Sequence, residues 1–346
     1  MKMETTTVDY DYSNYSDGSF EPVSPCSRDR DNNLGAQLSI LYYFMFVFSV
    51  FGNGLVLVII HRFEKLTTVT NILLLNLVLS SVIFMSSLPF IGAYMQLSNW
   101  IFGKVMCKIV GSVYYLGFYS SVLFLTLLTF DRHLAVVYSL GVSQVRNRSY
   151  AVISCAVVWL VSGLACIRPM ILHTTFVYID NITYCDEYPG DLPNIDVHQL
   201  RTSGFYLQLF LFLIFPLAVI IYCYVRIAAT VMSSKIVSKF KTVRLIFIIV
   251  LLFFICWIPF NIVTLMHDEA TSCEEGQKLG YALQFTRNMA YIYFCISPIF
   301  YTFVGKKFQN YFRQLLVKRF PRLKRYISVS QHSRTNMSTK STPNDL

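Results

Sequence analysis

Very few side chains in this sequence are equipped for chemistry. Asp131 and Arg132 stand together at the end of one apolar block, and Arg287 is the only charge well inside any such block. An ionisable group in that setting needs a partner or a water-lined cavity, and it marks a functional site by default. The chemistry on offer is recognition rather than catalysis. No Lys accompanies Arg287 in its block to hold a retinal Schiff base, and no cluster of His and Asp suits a metal-dependent hydrolase. Neither enzymatic activity nor a metal or cofactor is therefore expected. A second constellation lies near the N-terminus, where Tyr10, Tyr12 and Tyr15 are interspersed with Asp9, Asp11 and Asp17. This is the acidic setting in which secretory-pathway sulfation of tyrosine is expected, and such a dense anionic strand steers a basic protein toward it.

The elements that must position these residues follow from composition. Of 346 residues only 14% are charged and 55% are hydrophobic, with 29 Phe and 23 Tyr. A soluble domain carries about a quarter charged residues, and apolar surface on this scale calls for lipid as the solvent. A bilayer core is crossed by about 20 apolar helical residues. Seven blocks meet that length: Leu38 to Ile60, Val69 to Leu97, Ile109 to Phe130, Tyr150 to Ile167, Phe205 to Val225, Leu245 to Met266 and Leu279 to Val304. Met1 to Thr7 have no apolar stretch, so the first block is expected to serve as an uncleaved targeting signal. The expected fold is an all-α membrane protein. It comprises an acidic tail over 1–37, a seven-transmembrane-helix bundle over 38–304, a short amphipathic helix 8 over 305–320 and a disordered tail over 321–346.

Net charge is +10, but the cations sit beside the blocks rather than in one patch, which argues against nucleic acid. They gather after block 1 (His61, Arg62, Lys65), between blocks 3 and 4 (Arg132, Arg146, Arg148), between 5 and 6 (Arg226 to Arg244) and after block 7 (Lys306 to Arg325). The positive-inside rule makes those segments cytosolic and leaves the N-terminus outside and the C-terminus inside, in the plasma membrane. Of nine cysteines, Cys26, Cys107, Cys185 and Cys273 fall on the oxidising side. Three pairings are open to four cysteines. Cys107 and Cys185 are natural neighbours, which leaves Cys26 with Cys273. The sequons at Asn14 and Asn181 lie outside and are the two expected to be glycosylated, whereas those at Asn147 and Asn336 lie inside. No internal repeat or pair of matching broken helices is visible, and intramembrane ions are scarce, which weakens a transporter or channel reading.

The remaining polar and helix-breaking residues form an ordered set. Gly52-Asn53, Leu75-Asn76-Leu77, Asp131-Arg132-His133, Trp159, Pro216, Cys256-Trp257-Ile258-Pro259 and Ser297-Pro298-Ile299-Phe300-Tyr301 fall in successive blocks. Together they resemble a rhodopsin-like G-protein-coupled receptor. Ser87-Leu88-Pro89, Trp100-Ile101-Phe102-Gly103, the extra cysteines Cys26 and Cys273, and Phe303 to Phe308 resemble the chemokine receptors among them. Phe63 to Leu66, Thr70 to Ile72, Cys273-Glu274-Glu275 and Tyr281 to Leu283 followed by Arg287-Asn288 are most similar to the XC-type receptor for lymphotactin.

That resemblance implies a secreted basic chemokine as ligand, engaged by Tyr10, Tyr12 and Tyr15 and then by Tyr114, Asp186, Glu187, Arg287 and Tyr291. In the empty receptor Asp186 or Glu187 is expected to occupy Arg287. The family's second disulfide matches Cys26 with Cys273. On the inner side a heterotrimeric G protein, of inhibitory type, is implied. Arg132 would leave Asp131 and pack with Tyr224 and Tyr301 as the sixth helix swings about Pro259, with Trp257 sensing the ligand and Pro298 marking the seventh helix. The family's sodium site is degenerate here, its positions holding Ser81, Ser121 and Ser297. Phe308, Phe312 and Leu315, ringed by cations, suit a helix 8 lying on membrane lipid. Phosphorylation of Ser328, Ser330, Ser333, Thr335, Ser338, Thr339, Ser341 and Thr342 is expected to recruit arrestin. The rival in mechanism is a scavenging receptor without coupling, against which Asp131-Arg132 argues.

Overall fold

The computed structural model describes residues 34–63, 68–138, 146–177, 181–187, 196–233, 240–268, 272–299 and 306–320. Eleven α-helices and one two-stranded sheet make up the described residues. In chain order they are α1 (Leu34–Phe63), α2 (Val69–Met85), α3 (Leu88–Leu97), α4 (Gly103–Val137), α5 (Arg148–Ala165), α6 (Ile167–Leu172), β1 (His173–Val177), β2 (Thr183–Glu187), α7 (Val197–Leu209), α8 (Phe215–Ser233), α9 (Phe240–Asp268), α10 (Cys273–Ile299) and α11 (Lys306–Arg319). A π-helical turn, Phe210–Ile214, joins α7 to α8.

Each break in a long helix has a local cause. Proline has no N–H and its ring clashes with the carbonyl four residues back. Pro89 opens α3, and Ser87 Oγ donates to Phe84 O at 2.8 Å across the step from α2. Pro169 follows the step at Cys166 between α5 and α6, while Pro216 follows the wider π turn, which accommodates the bond a proline cannot make. Pro259 lies inside α9. Starts are capped by side-chain oxygens: Thr68 accepts from Asn71 N, Asn147 from Tyr150 N and Asp196 from Gln199 N.

Joined across those steps, six helices among the described residues are long and apolar enough to cross a membrane: Gln37–Phe63, Val69–Leu97, Gly103–Val137, Arg148–Leu172, Gln199–Met232 and Ile246–His267. The seventh, α10, has 27 residues and is long enough, but Glu274, Glu275, Gln277, Lys278, Gln284, Arg287 and Asn288 make it polar from its start to beyond its midpoint. Side chains such as Phe44, Phe51, Ile153, Leu160 and Val225, 62–71% exposed, point away from the bundle. That girdle is what an apolar solvent requires.

Inside, α4 is the central post, touching α2, α5, α8 and α9. Gly117 lets α4 approach α2: a Cβ there would stand 2.5 Å from Phe84 Cβ and 2.6 Å from its Cα. Small residues at close crossings are how membrane helices gain packing contact. Asn76 Oδ1 accepts from Trp159 Nε1 at 2.9 Å, pinning α2 to α5. At one end of the bundle the Cys107–Cys185 disulfide ties β2 to the start of α4. There Trp100 N donates to Thr183 O at 2.8 Å and the Trp100 indole packs with Cys107 and Val110. This is the disulfide end of the bundle. At the other end Phe63 stacks on Tyr311, centroids 5.0 Å apart, and seats α11 on α1.

Candidate functional site

Two of the charged groups in the bundle are those expected from the sequence. The first is built around Arg287, fourteen residues into α10 and so about 21 Å along its axis from Cys273. Tyr114, Tyr291, Asp186 and Tyr42 lie within electrostatic range of its guanidinium. No ion pair to Arg287 forms among the described residues, although the side chain is only partly exposed. Tyr114 and Tyr291 stand edge to face with centroids 6.1 Å apart, and the Tyr114 hydroxyl is buried without a hydrogen-bond partner. One turn on, the Gln284 amide donates to the Tyr42 hydroxyl, which donates to Asn288 Oδ1 at 2.7 Å and fastens α10 to α1.

Below Arg287 the floor is aromatic. Phe84 touches Tyr114, Tyr291, Phe294 and Trp257 with centroids 4.1–6.0 Å away. Trp257 is 1% exposed, stacks on Phe118 at 3.9 Å, and its indole N–H has no acceptor. A change at Tyr114 or Tyr291 therefore reaches α9 through direct ring contact. Trp257 lies two residues before Pro259, where α9 lacks a backbone hydrogen bond.

Two sequence expectations need correction at the disulfide end. Glu187 is not on Arg287: its carboxylate lies 3.3 Å from Arg201 Nε and 3.6 Å from Arg168 Nη1. Asp186 is exposed on β2 and influences Arg287 through space, without an ion pair within 4.0 Å. Other charges stand nearer the ends of the spans. Arg168 and Arg201 lie on helices that run past the apolar blocks, and both face Glu187 of β2. A cation just beyond the end of a block, as Arg168 is beyond Ile167, was the available signal.

The second cluster is at the opposite end. Asp131 is fully buried and accepts from Arg146 Nε at 2.7 Å, Arg146 Nη2 at 2.9 Å and Thr70 Oγ1 at 3.0 Å. Arg132 is the weaker partner, with Nη2 at 3.5 Å and Nε unpartnered. The expected Asp131 and Arg132 pair is thus one edge of a larger group whose main cation, Arg146, comes from the segment before α5. Bidentate geometry explains the preference: a planar guanidinium approaching a carboxylate side-on makes two bonds, which an adjacent residue on the same helix cannot reach. Tyr224 meets Phe247 edge to face at 5.0 Å. Tyr301 lies outside the described residues, as do Tyr10, Tyr12, Tyr15, Asn14, Cys26, the side chains of Cys273 and Pro298, and the tail serines and threonines.

Residues 52–301 match the family model described as 7 transmembrane receptor (rhodopsin family). The chain belongs to that family. It is 33% identical to the human C-C chemokine receptor type 1 across 98% of both chains, and 32% identical to the guinea pig C-C chemokine receptor type 3 across 94% of this chain and 91% of that one. A third relative, the human C-C chemokine receptor type 4, is 34% identical over 90% of this chain and 86% of its own. The receptor is accordingly a multi-pass membrane signalling protein and not an enzyme.

Ser81, Ser121 and Ser297, expected at the family's sodium position, are all buried. Ser81 Oγ donates to Leu77 O at 3.0 Å, Ser297 Oγ to Phe294 O at 3.5 Å, and Ser121 Oγ to Ser80 Oγ at 3.1 Å. Two of the three hydroxyls are spent on their own helices. Asn181 heads β2 with φ 56°, a left-handed conformation asparagine tolerates, and it is exposed.

Proposed function

We propose that this receptor binds a secreted basic chemokine of the XC type at the disulfide end, which faces outside, and activates an inhibitory-type heterotrimeric G protein at the other, driving calcium signalling and chemotaxis. The observation that carries the reading is Arg287. It is a permanently charged group set among Tyr42, Tyr114 and Tyr291, with no carboxylate of the described residues in ion-pair contact and a buried Tyr114 hydroxyl beside it. Such a group awaits a polar or acidic partner, and the inserted N-terminal segment of a protein ligand supplies one. The anionic tail with Tyr10, Tyr12 and Tyr15 captures the basic body of the same ligand, and glycans at Asn14 and Asn181 mark that side. Arg287 is also the residue by which the chain departs from most C-C and CXC receptors toward the XC type.

Signal transfer follows the contacts. Ligand on Arg287 and Tyr291 shifts Phe84 and Trp257, α9 moves about Pro259, and Arg132 leaves Asp131 for Tyr224 and Tyr301. The weak 3.5 Å Arg132 contact, beside the bidentate Arg146 pair, makes that departure cheap. Phosphorylation from Ser328 to Thr342 then recruits arrestin. A nucleotide-exchange assay on receptor-bearing membranes, run against a chemokine panel, tests the reading. An XC-type chemokine stimulating exchange supports it; saturable binding and uptake without exchange makes the protein a scavenger instead.

A further inference from the structure

We infer that Arg168 and Arg201 form a second anion-recognition subsite, taking a carboxylate of the inserted ligand segment, and that Glu187 occupies it as a built-in surrogate until that carboxylate replaces it. The inference rests on the chemokine reading above. Three elements meet here: Arg168 on α6, Arg201 on α7 and Glu187 at the end of β2. The cradle is shaped for a guanidinium. A Cβ on Gly204 would stand 2.1 Å from Arg168 Cδ and 2.6 Å from its Nε, so the bare glycine is the slot in which Arg168 lies. Tyr115 forms a wall, with the Arg168 guanidinium 5.8 Å from its ring centroid. Tyr119, whose hydroxyl donates to Gln208 Oε1 at 2.8 Å and stacks its ring on Phe212, closes the base.

The occupant fits this cradle poorly. Glu187 Oε1 is buried, lies 3.6 Å from Arg168 Nη1 and has no hydrogen bond, while Oε2 reaches Arg201 Nε at a long 3.3 Å. A well-placed carboxylate on an arginine makes bonds of about 2.7–2.9 Å, so a better acceptor gains what Glu187 forgoes. Glu187 sits on a two-stranded hairpin held to the bundle by the Cys107–Cys185 bond, and its loss from the arginines leaves that anchor intact. Tyr114 and Tyr115 are adjacent on α4, and their rings meet edge to face at 5.3 Å. They separate the Arg287 pole from the Arg168 pole, so that a segment lying across α4 is read at two points.

Substitution of Glu187 separates this from a merely structural strut, because the two predict opposite signs. The probe is whichever panel chemokine activates the unmodified receptor most potently, together with derivatives in which each Asp or Glu before its first cysteine is changed to the amide. Glu187→Gln should lower the activating concentration about threefold or more, since an internal competitor is removed. Arg201→Gln and Gly204→Ala, the latter evicting Arg168 from its slot while keeping its charge, should each raise it about tenfold. One amide derivative should lose potency on the unmodified receptor yet lose less than about twofold more on Arg201→Gln. A loss on Glu187→Gln, equal losses for every derivative on Arg201→Gln, or an activator with no carboxylate in that segment overturns the subsite. A panel with no activator overturns the receptor reading itself, and the subsite with it.

Discussion

At the scale of single residues, the bundle contains few charges, and what each one touches decides its part. Arg287→Glu reverses the charge among Tyr42, Tyr114 and Tyr291, so chemokine-stimulated exchange should vanish while tail-driven surface binding persists, as radioligand binding and exchange measured on the same membranes will show. At the other end, Asp131 holds two arginines and Thr70. Asp131→Asn keeps the shape but removes the charge that restrains Arg132, and basal exchange should rise severalfold at matched surface expression; a fall in basal exchange contradicts the restraint. The serines give a prediction by what they lack. A hard cation stripped of water needs compensating negative charge, and Ser81, Ser121 and Ser297 are neutral, with two of them bonded to carbonyls of their own helices. Agonist affinity should therefore stay within about twofold when sodium replaces a bulky organic cation at constant ionic strength, since an absent ligand shifts no equilibrium. The double change Ser81→Asp with Ser297→Asn should introduce the dependence.

Elements are where sequence and structure differ most instructively. Apolar length placed the helices, because a bilayer core sets a minimum that the blocks met, but it could not place their ends. Gly103–Val137 runs 35 residues where the apolar block had 22, from Ile109 to Phe130. The added turns carry Lys104, Lys108, Asp131, Arg132 and His133, and Asp131 is satisfied by Thr70 and Arg146, which hydropathy does not register. The same blind spot hid Arg168 and Arg201, as well as the larger group around Asp131. What was legible were residues whose constraint is local, such as Pro89, Pro216, Pro259, Asn76 and Trp159. Contacts between distant segments, such as Glu187 with Arg168, need the fold. Glycines test the packing directly. Gly117→Ala should drive α4 off Phe84 and cost about 1–3 kcal/mol by overpacking, seen as a lowered melting temperature in detergent. Gly54→Ala, with nothing within 4 Å of the added carbon, should leave it unchanged.

For the whole molecule, one continuous set of rings runs inward from Tyr114 and Tyr291 through Phe84 and Trp257 to Phe253 and Phe118 in the middle of the bundle. Rigid side chains in direct contact are how a shift at one end biases packing at the other. A tail clasp between Cys26 and Cys273 would aim the anionic strand at the ligand-facing end and reduce the entropy lost on docking. Cys26→Ala should then weaken chemokine affinity more than surface expression, and mass mapping should find the two cysteines joined. The most direct test of the central claim is guanine-nucleotide exchange on an inhibitory-type G protein, measured across a chemokine panel in membranes bearing either the unmodified receptor or Arg287→Glu. The account predicts that an XC-type chemokine stimulates exchange through the unmodified receptor and fails to do so through Arg287→Glu at equal surface binding. Equal potency through both, or no stimulation by any chemokine, contradicts it.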